Sequence, residues 1–130
     1  MKKLLIVTAF LEGLTGLSLL VAPSFVISLL VGVSMDSPAG PVAGQIAGAS
    51  LLALAIACWQ FSNAERRSPP TGIVKAMLSY NIAATLVLFN AIAVLELRGI
   101  LLVPAIAGHL VLGTWCLLVL WPAAGNLKTP

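Results

Sequence analysis

From position 4 to position 120 the polar residues are few and clustered, and each apolar stretch between them is about long enough to cross a bilayer. Four such stretches stand out, at residues 4–22, 42–61, 73–95 and 100–120. Lipid offers the backbone no hydrogen-bond partners, so each must close its own bonds as a helix. Residues 24–31 are also apolar but too short to span, and Pro23 sets them apart from the first helix. They read as a short helix or an interfacial segment. Residues 32–41 carry Asp36, Pro38 and Pro41 and suit an irregular crossing. Residues 63–71 are the most hydrophilic stretch and mark a turn, Leu97-Arg98-Gly99 marks a tighter one, and Trp121-Pro122 is expected to stop the fourth helix. The pattern predicts an all-α fold: one domain over residues 1–130, built as a four-helix transmembrane bundle.

Composition supports this. The 130 residues are 60% hydrophobic and 8% charged, against roughly 25% charged in soluble domains. The net charge of +3 comes from basic residues scattered between and beside the apolar stretches. They form no patch, which speaks against a nucleic-acid partner. Cys58 and Cys116 lie on different segments, with no CxxC and no disulfide framework. The N-terminus imitates a signal peptide, but Glu12 interrupts its apolar run, Leu20-Val21-Ala22 is a poor cleavage site and Pro23 would follow the cut. The segment is therefore read as a retained first membrane helix.

The basic residues also suggest an orientation. With four alternating helices, Lys2, Lys3, Arg66, Arg67, Lys75 and Lys128 fall on one side and Arg98 on the other. The excess marks the cytoplasmic side, so the expected topology is N-in and C-in. Trp59 and Trp121 then lie near the cytoplasmic interface, where indoles are favoured.

A few polar positions inside the apolar stretches are candidate sites. Glu12 lies about 12 Å beyond Leu4 at 1.5 Å per residue, near mid-membrane. Thr8, Glu12 and Thr15 share a helix face. An ionised carboxylate there is costly and often functional. It reads either as a proton- or cation-coupled site or as a protonated or paired acid that bonds two helices. Tyr80-Asn81 lies on the third helix at a similar depth, and an Asn81–Glu12 hydrogen bond is expected from depth alone. His109 lies in the outer half of the fourth helix, on a face with Ala105, Gly113 and Cys116. It reads as a hydrogen-bonded core residue, a protonation point or a haem axial ligand; one candidate His per chain would require a dimer for bis-His ligation. A His109–Cys116 metal pair fails, because seven residues are about 10 Å along a helix. Cys58 and Cys116 both lie toward the cytoplasmic side, but no second thiol is expected beside either. No catalytic triad, phosphate loop or paired carboxylates are present, and no resident cofactor or metal is expected.

The second helix carries Gly40-x-x-x-Gly44-x-x-x-Gly48, a ladder that lets helices touch closely. Gln45, Ala49 and Ala53 form a second small stripe on the opposite side. Small residues on both sides predict a close neighbour on each, either within the bundle or across a dimer.

Tyr80-Asn81, Pro104-Ala105-x-x-x-His109 and Trp115-Cys116, together with Gly13-x-x-Gly16 and Pro23, resemble a small family of uncharacterised bacterial four-helix membrane proteins. That resemblance implies four helices and the bacterial inner membrane, and no activity. Glu12 in helix one is similar to the essential acid of small multidrug resistance transporters. The chain departs from these in lacking an aromatic-rich binding face, in its longer first loop and in Pro23. DoxX-like proteins are similar in architecture only. The leading expectation is a non-enzymatic accessory or scaffold subunit working through helix–helix contacts in the bilayer, with other membrane subunits or itself. The alternatives are a dimeric proton-coupled transporter around Glu12, and a redox or haem subunit using His109.

Overall fold

A computed structural model describes residues 1–34, 37–63 and 69–125, the last four of these as backbone only. Arg66, Arg67, Ser68 and Lys128, on which the orientation argument leans, lie outside the described residues, as does Asp36. All regular structure among the described residues is helical: α1 (Lys2–Val21), α2 (Pro23–Val31), α3 (Ala39–Asn63), α4 (Thr71–Ala93) and α5 (Leu102–Gly125). Four of these, all but the nine-residue α2, are long and apolar enough to cross a membrane.

Local chemistry explains the breaks. Pro23 has no N–H to continue α1, and it opens α2 at the position where a missing N–H costs nothing. Gly32 ends α2 in the left-handed region at φ 80°, where its N–H bonds the Ser28 carbonyl at 2.8 Å. At the end of α4, Glu96 takes up the left-handed conformation at φ 54° and the Leu97 N–H reaches back to the Ala91 carbonyl at 3.0 Å. The fourth long helix does not stop at Trp121-Pro122. It continues through Pro122 to Gly125. A proline so close to a helix end removes one backbone bond, which a helix of 24 residues tolerates.

The helices pack as two pairs, α1 against α3 and α4 against α5. The pairs touch more lightly, through α1–α5 and α3–α4, while α2 rests on α1, α3 and α5. Gly16 and Gly48 meet at the α1–α3 crossing. A Cβ on either would lie 2.7 Å from the other's carbonyl oxygen, so only glycine allows this approach. Gly44 faces Pro23 and Ile27 of α2, Ala55 lies opposite Gly13, and Gly40 is half-buried at the start of α3. The stripe through Gly44 and Gly48 is thus occupied within the chain. The opposite stripe is largely open: Gln45, Ala49 and Ala53 are exposed, although Gln45 Nε2 donates to the Leu20 carbonyl of α1 at 3.3 Å. Of the two alternatives, the intra-bundle one holds for the Gly44–Gly48 stripe only: α4 packs mainly on α5 and touches α3 lightly, which leaves the Gln45–Ala49–Ala53 stripe without a close helix neighbour inside the chain.

The tightest core lies at the end of the bundle that carries the start of α1 and the end of α5. It joins Leu4 and Leu5 with Cys58, Val74, Met77, Leu112 and Cys116. Large apolar side chains such as Phe10, Leu14, Val87, Phe89 and Leu118 face outward. An apolar exterior of this extent suits lipid as solvent and not water, and the four long helices mark a membrane protein.

Candidate functional site: a polar strip through the bundle interior

Glu12 lies midway along α1 and is 5% exposed. Thr8, one turn earlier on the same face, is fully buried, and its Oγ1 has no partner among the described residues. Thr15 does not join them. It is exposed, because the adjacent Gly16 is the residue turned into the α3 interface.

Tyr80 of α4 is the side chain whose hydroxyl lies within interaction range of the Glu12 carboxyl, which brings α4 up to α1. The expected Asn81–Glu12 bond is corrected by this. Consecutive helix residues point about 100° apart. Tyr80 therefore turns toward α1 while Asn81 turns toward α5. Asn81 is 1% exposed. Its Nδ2 donates to the Met77 carbonyl at 2.8 Å, and its Oδ1 lies 2.9 Å from His109 Nδ1. With the amide nitrogen engaged on its own helix, Oδ1 accepts, and the network assigns the His109 proton to Nδ1. The Tyr80 and His109 rings meet edge to face with centroids 5.5 Å apart. Thr85 Oγ1 donates to the Asn81 carbonyl at 2.8 Å, which completes the polar strip on α4.

Just below this strip lie the two cysteines. Both are free and fully buried in the same core cluster, and Cys58 lies within electrostatic reach of Glu12 and Cys116. Their shared depth was legible in the sequence; that both enter one core cluster was not, because it depends on how α3 and α5 are rotated.

No group of three or more His, Cys, Asp or Glu among the described residues could hold a metal ion. For a haem, His109 Nε2 is the one ring nitrogen left to ligate. The arrangement makes α4 a hub, with Tyr80 set against Glu12 of α1 and Asn81 bonded to His109 of α5.

No family model, no curated protein and no solved structure matches the chain.

Proposed function

We propose that this chain is a non-enzymatic accessory or scaffold subunit of a complex in the bacterial inner membrane, with both termini on the cytoplasmic side. One observation carries the reading. Apart from Thr8 Oγ1, the buried polar side chains of the strip face polar groups: Asn81 is bonded to both His109 and the Met77 carbonyl, and Glu12 lies within reach of the Tyr80 hydroxyl. A carrier built around Glu12 needs that carboxyl open to water on alternate sides; here it is buried. Satisfied polar groups between apolar helices hold a bundle together and fix its register.

The experiment is affinity purification of the full chain in mild detergent, alongside Glu12→Gln. The expected result is a stoichiometric membrane partner retained by both forms. A folded Glu12→Gln protein that loses proton-driven solute flux in vesicles would reject the proposal in favour of transport. Coloured wild-type protein with a haem spectrum would reject it in favour of a redox subunit.

A further inference from the structure

His109 has one nitrogen engaged and one free. Nδ1 donates to Asn81 Oδ1, leaving Nε2 as a lone-pair acceptor with no protein partner among the described residues. The ring is half-buried and lines a groove of about 230 Å³ between α4 and α5. Its other walls are mostly apolar, among them Leu78, Ile82, Leu110 and Leu117. Ile82, Leu110 and Leu117 are each more than half exposed, so the groove opens toward lipid.

We infer that this groove binds a lipid-soluble molecule with an apolar body and a ring hydroxyl, and that the hydroxyl donates to His109 Nε2. Each part of the ligand follows from a feature of the site. The walls demand an apolar body. The fixed tautomer demands a donor, since a carbonyl or ether oxygen has nothing to offer a lone pair. A cavity of roughly 150 Å³ admits benzene, so about 230 Å³ accommodates a substituted six-membered ring. A lipid acyl chain could fill the same space but would leave Nε2 without a bond in a medium that supplies no water to replace it. The inference stands whether or not the chain works as an accessory subunit.

His109 is the single histidine of the chain, so ¹⁵N-histidine labelling reports on this ring alone. The protein would be placed in lipid nanodiscs and titrated with 4-octylphenol or with 4-octylanisole, which has the same body without the donor. The phenol should shift the Nε2 resonance saturably and bind about two- to tenfold more tightly than the ether, the preference one net hydrogen bond gives. Leu117→Trp fills the groove from a position that is 54% exposed, where a larger side chain does not disturb the core. It should abolish the phenol response while the Nδ1 resonance keeps its Asn81-bonded value. Equal shifts with both probes, no shift with either, or an unchanged phenol response in Leu117→Trp would each overturn the site.

Discussion

Tyr80 and Asn81 are neighbours in the chain that serve different helices, and this divides the cost of altering them. Tyr80→Phe removes the hydroxyl that lies within reach of the buried Glu12 carboxyl. It should destabilise the bundle by about 1–2 kcal/mol in detergent unfolding. Glu12→Leu strands the Tyr80 hydroxyl instead and should cost a similar amount, whereas Glu12→Gln keeps an acceptor and should lie within about 1 kcal/mol of wild type. Combining Glu12→Leu with Tyr80→Phe should cost less than the sum of the two, since each single change already breaks the shared contact. Strict additivity would mean the two side chains do not interact. The sequence identified Glu12, Tyr80, Asn81 and His109 as polar residues inside apolar helices, because such positions stand out against their surroundings. It paired Glu12 with the wrong neighbour because depth follows from residue number, while facing depends on how each helix is rotated about its axis. Thr15 failed for the same reason. A shared face spans a wide arc, and the α3 crossing takes the part of that arc centred on Gly16.

The α3 ladder shows the same limit in a whole helix. The spacing of Gly40, Gly44 and Gly48 announced close packing, yet spacing carries no information about whether the neighbour is the same chain or another copy. With Gly48 against Gly16 and Gly44 against Pro23 and Ile27, the faces through these glycines are closed internally. Gly48→Leu should therefore unfold the protein and not produce folded monomers, with a cost of about 3 kcal/mol or more, since the added atoms meet backbone that cannot swing away. A folded Gly48→Leu chain with altered mass on sizing would contradict the packing. Gly108→Ala in α5 is the matched control. Nothing lies within 4 Å of a Cβ added there, and its unfolding midpoint should stay at or slightly above wild type. Element boundaries were legible where proline or glycine chemistry enforces them, as at Pro23 and Gly32. They were not legible at Pro122, because a proline near a helix end interrupts too little to stop it.

Across the whole molecule, the basic residues carry the expectation of direction and the apolar pattern gives four candidate crossings, but neither reveals how four helices divide into pairs. Direction is testable by cysteine labelling in intact cells. A membrane-impermeant thiol reagent should reach Ser37→Cys from the outside and should not reach Ser68→Cys; the reverse pattern would invert the topology. The pairing comes from residues with no polar signal. Glycines let α1 meet α3, and a junction at the loop end joins the two halves: the Leu101 N–H bonds the Leu29 carbonyl at 3.0 Å, and Gly99 lies so close to the Leu30 carbonyl that a Cβ there has no room. That junction and the approach of Tyr80 to Glu12 hold the halves together by contacts that do not run along the chain. Covalent continuity between α3 and α4 is then dispensable. Two polypeptides divided between Asn63 and Pro69 and made in the same cell should find each other in the bilayer and co-purify as a stable heterodimer. The same split carrying Gly99→Leu should yield two orphan fragments, each cleared by membrane proteolysis.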